Sequence, residues 1–132
     1  MSYELQKLTP NLIVANVQRS IDFYRDVLEF TVAQTVPDQG PFVFAIVKRG
    51  GVEVFLNAPE PAHAEYPALA DRPIGGTLTL FIEVTEIEAA YARLAPLVKV
   101  VMPFEKKWYG MTEFAFTDPD GYIITYAQRT QT

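Results

Sequence analysis

Cysteine is absent from the 132-residue chain, which excludes disulfides, thiolate metal sites and cysteine nucleophiles together. Long apolar runs are absent too: nothing approaches the roughly 18 residues that a membrane span needs. The opening stretch, MSYELQKLTP, carries no apolar segment of the kind that serves as a secretory signal. A cytoplasmic location with no membrane partner is therefore expected. Basic excess is lacking as well, since 11 Lys and Arg face 16 Asp and Glu for a net charge of −5. Nucleic-acid phosphates need a basic surface, so no nucleic-acid partner is expected. The only basic clusters, Lys48–Arg49 and Lys106–Lys107, are short enough to be solvated turns. The acidic balance suits a cationic ligand, and it equally suits plain solubility. What the chain does have is 49% hydrophobic residues, enough for a real core in one domain.

The strongest positive signal is an internal repeat, read here as running without a gap. Gly121 lies 70 positions after Gly51, and Gly110 lies 70 after Gly40. The same offset pairs Val14 with Val84, Val17 with Ile87, Phe44 with Phe114, Ala45 with Ala115 and Ile46 with Phe116. Each copy reads as a strand, a helix and three further strands. In the first, Leu12 and Val14 alternate in a short strand. Val17, Ile21, Tyr24 and Leu28 then recur at helical spacing, with Asn16 as N-cap. Strands follow near Phe30–Thr35, Phe42–Val47 and Val52–Asn57, the last pair turned by Arg49-Gly50-Gly51. The second copy, from Thr77, has a helix near Glu86–Ala95 and strands near Val98–Glu105, Met111–Thr117 and Tyr122–Gln128. Asp118-Pro119-Asp120-Gly121 is its hairpin turn. Ala58–Gly75 carries four of the ten prolines and reads as the linker. Repeat one thus covers about 8–58, the linker about 59–75 and repeat two about 76–130 of a single domain.

Alternation assigns the two faces of the strands. Leu12/Val14, Val54/Leu56, Leu80/Ile82/Val84, Phe114/Phe116 and Tyr122/Ile124/Tyr126 form an apolar set that should lie under the helices. The opposite parity gives Thr9/Asn11, Val43/Ala45, Glu53/Phe55/Asn57, Thr79/Phe81/Glu83, Met111/Glu113 and Thr125/Ala127. Phenylalanines among threonines, asparagines and glutamates make neither a dry core nor a charged surface. That face reads as the wall of a ligand-sized groove.

The segments Leu8-Thr9-Pro10-Asn11-Leu12 and Ser20-Ile21-Asp22-Phe23-Tyr24-Arg25-Asp26-Val27-Leu28 resemble a known family. So do Tyr109-Gly110-Met111-Thr112-Glu113-Phe114 and Asp118-Pro119-Asp120-Gly121-Tyr122. The resemblance is to the vicinal oxygen chelate superfamily of glyoxalases, bleomycin-resistance proteins and extradiol dioxygenases, and it covers nearly the whole chain. It implies an α+β fold in which two tandem βαβββ repeats form a cupped, mostly antiparallel eight-stranded sheet, often completed by dimerisation. It also implies four metal-ligand positions on the cupped face, which fall on Thr9, Phe55, Thr79 and Thr125. A divalent ion of this class needs imidazole or carboxylate ligands at about 2 Å, which this set does not supply. No metal and no other cofactor is therefore expected, although Glu53, Glu83 and Glu113 share one face and are open to clustering.

His63, the only histidine, lies in the proline-rich segment and reads as solvated, with a contact to the groove left open. Glu113 is the best acid/base candidate, or else a hydrogen-bonding group. Trp108 and Tyr109 have Asp38 and Gln39 at the matching positions of the first copy, so they are an asymmetry between repeats. They either stack on a planar ligand, as aromatics near this point do in bleomycin-resistance-like proteins, or serve the core or a dimer interface. The expected ligand-binding set is Asn11, Glu53, Phe55, Asn57, Thr79, Phe81, Trp108, Tyr109, Met111, Glu113 and Thr125, with no catalytic residue assigned. The resemblance favours a metal-independent binder of a small organic molecule, planar and cationic in character, acting as a homodimer. A glyoxalase- or dioxygenase-like enzyme with displaced ligands and a non-catalytic dimeric interaction module are the alternatives.

Overall fold

The structure is a computed structural model and describes residues 2–130. The first repeat comprises β1 (Asn11–Ile13), α1 (Val17–Asp22, continued as a π-helical turn over Phe23–Val27), β2 (Thr31–Val36), β3 (Phe44–Arg49) and β4 (Val52–Asn57). The second comprises β5 (Thr79–Glu83), α3 (Ile87–Leu94), β6 (Lys99–Lys106), β7 (Met111–Thr117) and β8 (Ile123–Arg129). Asn16 caps α1 as expected, its side chain accepting from the Arg19 N–H at 2.9 Å. The segment read as linker is not plain coil: it holds the helix α2 (Pro59–Glu65) and a 3₁₀ turn over Pro67–Leu69. Prolines at the starts of both are compatible with helix, because a first-turn N–H has no intrahelical partner to lose. Among the described residues no helix is long and apolar enough to cross a membrane.

The strands hydrogen-bond as two four-stranded sheets, one per repeat, ordered β1-β4-β3-β2 and β5-β8-β7-β6. The outer pairs β1/β4 and β5/β8 are parallel and the other pairs antiparallel. This is the mostly antiparallel α+β arrangement expected, with its eight strands divided evenly between two sheets.

The repeat is not gapless. Arg49 pairs with Val52, which leaves a two-residue hairpin in the first copy. Thr117 pairs with Ile123, which leaves a longer turn in the second. The extra residue shifts β3 by one position relative to β7. Ala45 therefore pairs with Leu56 on the core side and is fully buried, while Phe44 and Ile46 take the opposite face beside Asn57 and Phe55. The expectation that Ala45 lines the groove fails for this reason, because a one-residue slip flips every side chain of a strand, whereas Val43, just before β3, stays exposed and borders a cavity on that face.

The helix-facing sides of both sheets share one core. It joins Leu12, Val54 and Leu56 of the first repeat to Phe114, Phe116, Ile124 and Tyr126 of the second, with Tyr24 and Leu28 from the α1 segment. The opposite faces of the two sheets are thus left to the outside.

The Asp118–Gly121 turn locks the two repeats together. Asp118 Oδ1 accepts from the Asp120 and Tyr122 N–H groups at 2.9 and 3.0 Å, which shapes the turn. Asp118 Oδ2 accepts from the Tyr24 hydroxyl at 2.9 Å across the core. Asp120 accepts from the Ala15 N–H at 2.9 Å and from Arg19 at 3.0 Å, at the start of α1. Tyr122 donates its hydroxyl to the Ile13 carbonyl at 2.7 Å. Gly75 is required here, since a Cβ at that position would meet the Asp120 carbonyl oxygen at 2.5 Å.

Burial pushes the Asp118 carboxyl above its ordinary range, and hydrogen bonds from Tyr24 and the backbone only partly offset that. A carboxyl with a raised folded-state pKa contributes stability below its unfolded pKa and loses it as pH rises through the folded value. Asp118→Ala should cost about 2–4 kcal/mol, because it strands a buried tyrosine hydroxyl and two backbone N–H groups. Asp118→Asn keeps an acceptor and should cost about 1 kcal/mol. Urea melts of the three proteins check the order, and the gap between wild type and Asp118→Asn should narrow as pH rises through the raised carboxyl pKa.

Candidate functional site

Cross-strand pairing builds a defined surface on the outward face of the second sheet. Glu83, Ala127, Glu113 and Glu105 form one row across β5, β8, β7 and β6. Phe81, Thr125, Ala115 and Met102 form the next row. Met111 extends the same face of β7 beside Arg129. Adjacent strands lie about 4.8 Å apart, so the result is an acidic stripe bordering an apolar one. Met111, Glu113, Ala115, Thr125 and Ala127 are buried at its floor, whereas Phe81 remains 54% exposed at its edge.

Glu113 is the centre of this face. It is 3% exposed, and among the described residues its hydrogen-bond partner is the Tyr109 hydroxyl at 2.8 Å. That bond to a carboxylate pushes the Tyr109 phenol above its usual range, because a phenolate there would lose its acceptor and face a like charge. The opposite residue, Glu105, pairs instead with Lys107 at 2.5 Å. Tyr109 in turn carries Trp108 edge-on, with ring centroids 5.3 Å apart, and Trp108 projects 95% exposed from the loop before Gly110. Of the aromatic pair, Tyr109 therefore orders the carboxylate and Trp108 offers a free ring.

The outward face of the first sheet has different chemistry. Asn57 donates to the Asn11 side chain at 2.7 Å and to the Leu12 carbonyl at 3.0 Å. Phe44 and Phe55 meet edge to face at 5.3 Å. Both pairs border a cavity of about 380 Å³ closed on one side by Pro61, Ala62 and Glu65 of α2. Glu53 binds Lys7 at 2.7 Å and has Lys48 at 3.7 Å. The Lys7 hydrogen bond, first, and the two ammonium charges hold its carboxyl below the usual range. Its charge is already compensated.

The eleven candidate residues consequently divide by sheet. Asn11, Glu53, Phe55 and Asn57 lie on the first, and Thr79, Phe81, Met111, Glu113 and Thr125 on the second, with Trp108 and Tyr109 at the second sheet's rim. Neither cavity that Asn11 lines contains any of the second group. Glu53, Glu83 and Glu113 do not cluster as a trio; the glutamate that joins the acidic row is Glu105. Strand parity misses it because β6 carries two register irregularities, between Val100 and Met102 and between Met102 and Glu105. His63 is half-buried on α2 and lines a cavity, which corrects the reading of it as solvated.

The positions implied as metal ligands do not fit a metal. Pairing sets Phe55 beside Asn11 and Thr125 beside Phe81, so Thr9 and Thr79 are not the direct neighbours. Taken either way, the donors are hydroxyls, an amide and phenyl rings, with no imidazole or carboxylate among them. Nor, among the described residues, do three His, Asp or Glu side chains gather closely enough to hold an ion.

The chain resembles known proteins in both sequence and fold. A family model described as "Glyoxalase/Bleomycin resistance protein/Dioxygenase superfamily" matches residues 7–126. A bleomycin resistance protein of Staphylococcus aureus is 27% identical over 128 residues, covering 91% of this chain and 94% of that protein. TnmS3, an antibiotic binding protein from Streptomyces sp. CB03234, superposes with a TM-score of 0.74 at 21% identity, over 98% of this chain and 100% of its own. The bleomycin-binding protein of Streptomyces verticillus, solved with copper(II)-bleomycin, superposes with a TM-score of 0.64 at 23% identity, over 99% and 100%.

The donor chemistry generates a direct prediction. Purified protein should carry no stoichiometric Ni, Zn, Fe or Mn by elemental analysis. Chelator should leave its melting temperature unchanged, since no metal-binding free energy is linked to folding. One tightly held ion per chain would contradict the assignment.

Proposed function

We propose that this chain, which belongs to the Glyoxalase/Bleomycin resistance protein/Dioxygenase superfamily, holds a small organic ligand without a metal and without transforming it. The observation that carries the reading is the outward face of the second sheet, where an acidic row centred on Glu113 runs beside Phe81, Met102 and Met111. Such a face suits a planar molecule bearing a cationic group. The plane rests on apolar and thioether surface, and the charge meets a carboxylate already desolvated by the fold. A buried carboxylate is costly unless paired, so a cation that completes its shell gains more there than it would at a solvated acid. Sequestration needs affinity only, which agrees with a face that has no histidine and, among the described residues, no three carboxylates gathered closely enough to hold an ion. The S. aureus and Streptomyces proteins, whose names speak of bleomycin resistance and antibiotic binding, support a ligand of the natural-product class.

The working unit in this reading is a homodimer. Two outward faces of different chemistry lie on each protomer, and exposed Phe81, Trp108 and Tyr109 are a large apolar investment for a free surface. A twofold partner that lays its first sheet over this second sheet would cover them and bring Asn11, Phe55 and Asn57 opposite Glu113 and Thr125. Light scattering at tens of micromolar should give twice the 14.8 kDa chain mass. A monomer there would remove the composite groove.

Trp108 is the only tryptophan, so its emission reports one place in the chain. Titration with bleomycin and a panel of planar cationic natural products should shift or quench that emission saturably for at least one member. Trp108→Ala should weaken the same binding about tenfold or more, as loss of an aromatic anchor does, while leaving the fold intact. Glu113→Gln should weaken the cation but not a neutral analogue. If no member raises the melting temperature, or if both variants bind normally, the second sheet is not a ligand site.

A further inference from the structure

A separate cavity of about 370 Å³ opens on the edge of β1, away from the floor formed by Met111, Glu113 and Thr125. The stretch from Leu69 to Leu78 folds over it, so the segment between the repeats supplies its outer wall. Leu12, Leu69, Ile74 and Leu78 make that interior apolar. Its polar lining is Asn11, His63, Arg72 and Thr77, and no aspartate or glutamate takes part. For a chain of net charge −5, this is a local reversal.

The hydrogen bonds already made decide what these groups have left to offer. The Asn11 side-chain oxygen is occupied by Asn57, so the group that Asn11 can still offer is its amide N–H₂. The Tyr122 hydroxyl, also at this cavity, is committed to the Ile13 carbonyl. Arg72 is exposed and makes no ion pair among the described residues. The lining therefore combines apolar walls with donors: a guanidinium, an amide and an imidazole. Guanidinium matches carboxylate in a planar fork, which selects a carboxylate over a point cation or a neutral group. The volume falls within the range of small-molecule sites.

We infer that this cavity is a second ligand site, separate from the second sheet's face and touching the first sheet's outward face only through Asn11, and that it takes a small aryl or alkyl carboxylate. The apolar part of the ligand enters between Leu12 and Leu69, and its carboxylate stays at the mouth with Arg72 and the Asn11 amide. His63, on α2, borders the same mouth and adds a further donor.

The test is calorimetric titration of the full chain with 2-naphthoate and with the uncharged 2-naphthylmethanol. Saturable binding of 2-naphthoate at one site per chain is expected, with the alcohol about tenfold weaker or more. Arg72→Gln should lower 2-naphthoate affinity about tenfold while leaving the alcohol unchanged. His63→Gln, a second surface change that spares the core, should weaken the acid alone by a smaller factor. Trp108→Ala should leave 2-naphthoate binding unchanged, which separates this site from the sheet face and from the fate of that reading. Absence of saturable binding overturns the proposal, as does equal affinity for acid and alcohol. Loss of binding in Trp108→Ala with none in Arg72→Gln overturns it too, by assigning the probe to the sheet face. Protection of the cavity by a second copy of the chain would appear as binding that strengthens on dilution to monomer, and would count against a free site.

Discussion

Two aspartates two residues apart, Asp118 and Asp120, hold the β7–β8 turn against the start of α1, and the arrangement of the whole molecule follows from that contact. Asp118 shapes its own turn through two backbone N–H groups and reaches across to Tyr24. Asp120 takes the Ala15 N–H and the Arg19 guanidinium. Because both carboxylates are spent within the protein, the turn can dock against α1 with Asp118 buried and no orphaned charge. That contact ties the second sheet to α1, and the helix-facing sides of the two sheets meet in one core. The other faces have nowhere to go but outward, and every candidate ligand-binding residue on a strand belongs to them.

The two copies of the repeat diverge through the length of one hairpin. A two-residue turn between β3 and β4 puts Phe44 and Ile46 on the outward face, where the longer turn of the second copy puts Glu113 and Ala115. The first sheet consequently shows phenyl rings and an asparagine pair, and the second shows acids beside thioethers. A single inserted residue changes which side chains of β3 face outward, since side-chain direction in a strand alternates at every step.

The charges on these faces are not equivalent even where residue type is. Glu53 is neutralised by Lys7 and Lys48, Glu105 by Lys107, while Glu113 sits under Tyr109 with a neutral hydroxyl for its partner. A carboxylate with only a neutral donor retains its field, and burial keeps water from screening it. That is why Glu113, and not the more exposed Glu83, is the focus of the second sheet. The cavity beneath the inter-repeat segment inverts this logic, with a guanidinium and no carboxylate in its lining.

Much of this was legible from residue order alone. Periodicity marked both helices and all eight strands, with Val52–Asn57 and Met111–Thr117 bounded as observed, because alternation and turn glycines are local signals. The hydroxyl and phenyl character of Thr9, Phe55, Thr79 and Thr125 was readable too, since donor chemistry belongs to the residue, but which of them stand side by side was not: Phe55 pairs with Asn11 and Thr125 with Phe81. Proline count hid the helix α2, since proline disfavours helix interiors and not helix starts. Face assignment failed at Ala45, where it hung on hairpin length, and Glu105 was missed where bulges in β6 reset the alternation. Burial of Glu113, compensation of Glu53, exposure of Trp108 and the placement of His63 at a cavity depend on contacts between residues far apart in the chain. Local sequence determined which elements form and which chemistry they carry. Only the packing of one repeat on the other decided which groups face each other, because solvation and charge pairing are properties of neighbours in space.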